Sequence, residues 1–128
     1  MERFEDSIAW QKARALNKAV YQATQGPRFC KDFGLSSQIQ RASVSVMANI
    51  AEGFDRNRDN EFHQALSIAK GSCAEVRSHL YAAFDAGYLD KAQFTTLKAS
   101  AEEVSRLVAG LRAAVDRRRR SSPLSTKD

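Results

Sequence analysis

Phe62, Leu66, Ala69, Cys73, Val76, Leu80 and Ala83 recur at steps of 4-3-4-3-4-3. A strand would alternate every second residue, so this spacing draws one apolar line down the side of an α-helix three heptads long. Such a helix is stable only when other apolar faces cover that line. The rest of the chain has material for little except more helices, because two prolines and six glycines in 128 residues leave few turns. An all-β fold needs a turn about every 8–12 residues. The expected class is therefore all-α. At this length one domain is expected, burying roughly two-thirds of its unfolded surface without staples.

A first helix is expected after Asp6 or Ser7, either of which can accept first-turn N–H groups. Ala9, Ala13, Leu16, Val20 and Ala23 form its seam, Trp10 and Tyr21 flank it, and Gly26-Pro27 stops it. The connection over 26–36 carries Phe29, Phe33 and Leu35, which predicts that it folds over one end of the molecule. Ser36 or Ser37 is expected to cap the second helix. That helix has two apolar lines, Ile39, Ala42, Val46 and Ile50 on one side and Val44, Met47, Ala51 and Phe54 on another. One line can face the core. The other calls for a partner, and a neighbouring subunit is the expected one.

Gly87 reads as the C-terminal cap of the third helix. Asp90 with Gln93 three residues on reads as a capping box opening the fourth. Phe94, Leu97, Ala101, Val104, Val108, Leu111 and Val115 form the fourth seam. Short links between helices two, three and four make them antiparallel neighbours and four seams close a core, so the expected architecture is an antiparallel up-and-down four-helix bundle over residues 1–116. Residues 117–128 read as a basic, frayed tail.

The candidate chemistry is sparse. Cys30 and Cys73 are isolated, with no CxxC and no histidine at ligand spacing, and Cys73 falls on the apolar seam. The opening MERFEDSIAW is charged and is not expected to act as a secretory signal. No stretch of about 18 apolar residues occurs to span a membrane. A cytoplasmic location follows as the expectation. A di-iron bundle site needs Glu-x-x-His on two helices, whereas Glu75 and His79 are four apart and His63 has no glutamate three residues before it. Lys70-Gly71-Ser72 inverts the order of a phosphate loop, in which the glycine-rich turn comes first. The plainer reading is that Gly71 permits a close helix crossing with Ser72 beside it. Ser36, Ser37, Ser43 and Ser45 have no marked base. No metal, cofactor or enzymatic activity is expected.

Two polar features remain. Arg41, Ser45, Asn49 and Glu52 share one stripe of the second helix, best read as a hydrogen-bond network that fixes helix or subunit register. The chain carries 20 Lys+Arg against 15 Asp+Glu, and four of the positives are Arg117, Arg118, Arg119 and Arg120, leaving 16 against 15 elsewhere. One or two arginines would suffice to complement a helix C-terminus. Four in succession repel one another unless something anionic is near, and the guanidinium fork suits phosphate. Nucleic-acid contact is the expectation, with Arg56 and Arg58 adding to the same surface if they lie nearby.

The stretches RASVSVMANIAEGF and LSIAKGSCAEV resemble the signature of the 23S rRNA intervening-sequence protein family, and FEDSIAWQKARALNKAVY and GLSSQIQRA are similar to its first helix and its entry into the second. The resemblance covers about residues 4 to 115. It implies a four-helix bundle assembled as a homopentamer. Some members are encoded within insertions in ribosomal RNA genes, and a related branch serves diversity-generating retroelements, where a basic pentamer binds nucleic acid and assists a reverse transcriptase. The matching motif residues here are Arg41, Ser45, Asn49, Glu52, Gly53, Lys70, Gly71, Ser72 and Glu75. The resemblance implies no catalytic role for them.

Two expectations for function follow. The chain is a nucleic-acid-binding homo-oligomer that contacts the phosphates of RNA or DNA, structured RNA in preference. Alternatively it is a scaffold for a protein partner, with the arginines merely solubilising.

Overall fold

Polar caps and apolar seams together delimit four helices. The computed structural model describes residues 3–121: α1 Ile8–Ala23, α2 Phe33–Arg56, α3 Asp59–Asp85 and α4 Lys91–Ser121, with short 3₁₀ turns at Phe4–Asp6 and Phe29–Lys31. Among the described residues there is no strand. Among the described residues, no helix is long and apolar enough to cross a membrane.

Ser7 caps α1 by accepting from the Trp10 N–H, as expected. The capping box at α4 is complete. Asp90 Oδ1 accepts from the Gln93 N–H at 2.7 Å, and Gln93 Oε1 accepts from the Asp90 N–H at 2.9 Å. Gly87 follows α3 with φ +79, the left-handed conformation in which only glycine is unstrained.

The start of α2 departs from expectation. Its cap is Asp32, whose Oδ1 accepts from the Leu35 N–H at 3.0 Å, so Ser36 and Ser37 lie inside the helix. Asp32 prevails because its second oxygen accepts from the Tyr88 hydroxyl at 2.9 Å, a contact from the α3–α4 turn. The cap hydrogen bond and Tyr88 both hold this carboxyl below the usual carboxylate range. The connection before α2 covers one end through Phe29, which is buried and stacked on Tyr88 at 5.2 Å. Phe33 does not join it and stands 78% exposed.

The four seams meet in one core, with Leu16, Val20, Ile39, Val46, Ile50, Leu66, Val76, Leu80, Val104, Val108 and Val115 all fully buried. Burying a side chain of this kind stabilises by about 1.5–3 kcal/mol. The second apolar line of α2 is shared: Met47 and Phe54 pack against the chain's own core, Ala51 is half-buried, and Val44 is 40% exposed. Most of that line is therefore covered within the chain.

The close helix approach expected at Gly71 falls at another glycine. Gly53 is the position of close approach, because a Cβ there would lie 2.6 Å from Phe62 Cδ1. Gly71 faces open space, with nothing within 4 Å of such a Cβ, so it serves no helix crossing.

Helix α4 takes in the arginine run. It continues through Arg117–Arg120 to Ser121, so the arginines form a helical turn of the bundle's last helix. Arg118 holds that turn against α3 by donating to Asp59 Oδ1 from Nη2 at 2.6 Å and from Nε at 2.9 Å. The remainder of the predicted tail, 122–128, lies outside the described residues.

Candidate nucleic-acid interface

A two-residue junction builds the site. Asn57 takes the left-handed conformation at φ 57, and Arg58 is extended at φ −130 and ψ 131 before α3 begins. Asparagine tolerates the left-handed region better than most residues. The junction can be this short because Gly53 lets the Phe62 ring close onto α2, where it tilts against Phe54 with centroids 4.8 Å apart.

Arg56 turns back along α2, with Nη2 2.9 Å from Glu52 Oε1 and Nη1 3.8 Å from Glu61. Arg58 points elsewhere. Together with Phe54, Asp55, Asn57, Asp59, Phe62 and Arg118 it lines a cleft of about 480 Å³. The expected meeting of the α2–α3 junction with the arginine run thus occurs through Arg58 and Arg118.

The run itself is partly neutralised. Arg119 Nη2 donates to Asp116 Oδ1 at 2.5 Å and its Nη1 reaches Asn60 Oδ1 at 3.5 Å, while Arg120 Nε lies 3.1 Å from Asp116 Oδ2. The Arg119 hydrogen bond is the main reason that the Asp116 carboxyl sits below its ordinary range. His63 Nε2 is 3.8 Å from the same carboxylate. Burial lowers the His63 pKa, and Arg119 and Arg112 lower it further against the pull of Asp116. Among the described residues, Arg58 and Arg117 are exposed and form no ion pair.

The polar stripe of α2 lies on the flank facing α3. The Ser45 and Ser72 hydroxyls share a hydrogen bond at 2.9 Å, and Asn49 Nδ2 donates to the Ser45 carbonyl at 2.9 Å and to its Oγ at 3.1 Å. Ser72 is buried, so this pair fixes the register of α2 on α3. Arg41, Ser45, Ser72, Glu75 and His79 line one shallow cleft beside it, while Glu52 holds Arg56. Lys70 and Gly71 lie on a different flank of α3, in the groove towards α4, beside Arg77 and Arg112. Sequence reasoning missed those two arginines. The available signal was the i, i+7 spacing of Lys70 and Arg77 on one helix face.

The sequence profile of the 23S rRNA-intervening sequence protein family matches residues 5–110. The chain belongs to that family. A member of what is described as the S23 ribosomal protein family, a protein of unknown function from Bacteroides thetaiotaomicron VPI-5482, has a similar crystal structure. The TM-score is 0.75 at 21% identity, covering 81% of this chain and 97% of that one, which supports the fold. No curated protein matches the chain. In family terms, the motif residues Ser45, Asn49 and Ser72 make a helix-register contact, and Gly53 makes the tight α2–α3 approach.

Proposed function

We propose that this intervening-sequence protein is a non-enzymatic, oligomeric four-helix-bundle protein that binds nucleic acid, structured RNA in preference, through phosphate contacts. The observation that carries this reading is the meeting of Arg58 and Arg118 around one cleft, with Arg117, Arg119 and Arg120 on the adjoining helical turn. Guanidinium groups bind phosphate bidentately. Asp59 does not bar this at Arg118, whose guanidinium is largely exposed, because ion pairs at the surface contribute only about 0–1 kcal/mol and exchange readily for a phosphate, whereas Arg119 is held more firmly by the half-buried Asp116.

An antiparallel up-and-down bundle assembled as a homo-oligomer, a pentamer by the family resemblance, would repeat this patch and raise the local potential. Val44, with Met47, Ala51 and Phe54 behind it, is the proposed subunit contact. A cytoplasmic location belongs to the same reading. The alternative, a scaffold for a protein partner, draws support from large apolar side chains left on the outside: Phe33 at 78%, Ile68 at 49% and Val44 at 40% exposed.

Salt separates the two readings. Fluorescence anisotropy of a structured RNA and a matched DNA duplex is measured against the full chain and its R58Q/R117Q/R118Q variant. Phosphate binding gives micromolar or tighter affinity that falls steeply with salt and weakens in the variant. No binding by the intact protein at low salt would refute the nucleic-acid reading and turn the search to protein partners.

A further inference from the structure

We propose that the groove between α3 and α4 is a track for the phosphodiester backbone of the bound nucleic acid, with Lys70, Arg77 and Arg112 as its phosphate contacts. This rests on the nucleic-acid reading and deepens it, since these residues lie apart from the arginine run.

The groove has a volume of about 280 Å³ and is lined by Ser67, Lys70, Gly71, Ala74, Arg77 and Arg112. Three of the six are cations and none is acidic. Arg118, Arg119 and Arg120 each have an aspartate within ion-pair distance. Among the described residues, Lys70, Arg77 and Arg112 form no ion pair, and no acidic side chain lines the groove with them. A surface that keeps three like charges together without counter-charges fits an anionic partner.

Side-chain detail supports this. Arg112 Nε donates to Ser67 Oγ at 2.8 Å, and Ser67 Oγ donates to the His63 carbonyl at 3.0 Å. That chain fixes the guanidinium while leaving its outer N–H groups for a ligand. Arg77 Nε is shielded from solvent and has no hydrogen-bond partner. Folded proteins rarely strand a buried donor. An anion at the outer N–H groups of Arg77 would balance the charge of this half-buried guanidinium.

The floor is low between the cations. Gly71 and Ala74 lie there, and a Cβ on Gly71 would meet nothing within 4 Å, so a sugar-phosphate chain can approach the helix closely. Lys70 and Arg77 are separated by about 10.5 Å of helix rise. Two long cationic side chains at that spacing can reach phosphates of one strand. Neighbouring groups sense the same positive field. Burial pushes the Cys73 thiol up to about 11 against the opposing pull of Arg77 and Lys70, and Arg112 adds to the lowering of His63.

The test measures RNA-binding anisotropy of the full chain across a salt series. It compares wild type, K70Q/R77Q, and a control K18Q/K31Q that removes two exposed cations away from the groove. Two lost phosphate contacts lower the slope of log K on log salt by about 2 and weaken binding roughly 15- to 30-fold near 0.15 M salt. G71Q retains every charge and replaces a helical glycine in open space, so it folds and fills the floor of the groove. It is expected to weaken binding as well. Loss in K70Q/R77Q and G71Q beyond that of the control supports the track. Equal binding by K70Q/R77Q and the control overturns the track and leaves the nucleic-acid reading standing. Failure of the wild-type protein to bind at low salt overturns both.

Discussion

Replacing Gly53 by alanine sets two opposing effects against each other. Alanine inside a helix is favoured over glycine by about 1 kcal/mol. At position 53, however, the new Cβ would lie 2.6 Å from Phe62 Cδ1, 3.1 Å from its Cε1 and 3.3 Å from Ala65 Cβ. Carbon atoms normally pack at about 3.5–4.0 Å. The Phe62 ring has little room to retreat, being 7% exposed and tilted against Phe54. Overpacking of this kind costs about 1–3 kcal/mol, which leaves Gly53→Ala destabilised by about 1 kcal/mol. Gly71→Ala gains the helix propensity with no clash, a stabilisation of about 0.5–1 kcal/mol. The two alanine variants should therefore differ by about 2 kcal/mol, or roughly 8 °C in Tm for a domain of this size. Thermal denaturation followed by far-UV circular dichroism measures this, at one protein concentration because assembly would shift Tm. A Gly53→Ala protein melting at or above wild type would refute the reasoning, since it would mean the Phe62 ring swings aside freely.

The Asp32 cap is checked by urea denaturation of Asp32→Ala and Ser37→Ala. The first should lose about 1–2 kcal/mol and the second under about 0.5 kcal/mol, and equal losses would return the cap to the serines. His63 makes stability depend on pH. Its folded pKa lies below the ordinary 6.5, so the unfolded chain takes up the proton first as pH falls. Stability is then fully present above about 6.5 and declines as pH falls towards the lower folded value. A Tm series from pH 7.5 to 5.5 should show this decline flattened in His63→Gln, and an unchanged slope would remove His63 as its cause.

What could be read from the sequence was local. The seams of α3 and α4, the Asp90–Gln93 box and the left-handed Gly87 each depend on residues within a few positions of one another. What could not be read depended on contacts across the chain. Ser36 and Ser37 were reasonable caps until Tyr88, 56 residues away, fixed Asp32. The arginine run looked like a fraying tail because nothing near it in sequence announces that Asp59 holds Arg118. Val44, Met47, Ala51 and Phe54 looked like one unpartnered line, but the half-burial of Met47 and Phe54 is set by the elements flanking α2. The candidate site divides in the same way. The cationic residues were visible as residue types, while which of them keep their charge unpaired became visible only once Asp59 and Asp116 were placed.

Arg28 gives the long α1–α2 connection a further consequence. Its guanidinium donates to the Ala86 and Gly87 carbonyls at 3.2 and 3.4 Å and stacks over the Tyr88 ring at 5.6 Å. Carbonyls at the end of α3 are thus satisfied from the other half of the chain, 58 and 59 residues upstream. Helices α3 and α4 alone would leave those acceptors to water and Tyr88 without its Asp32 and Phe29 neighbours. The α1–α2 connection thus completes the end of α3, and hydrogen exchange is expected to show similar protection for the two segments.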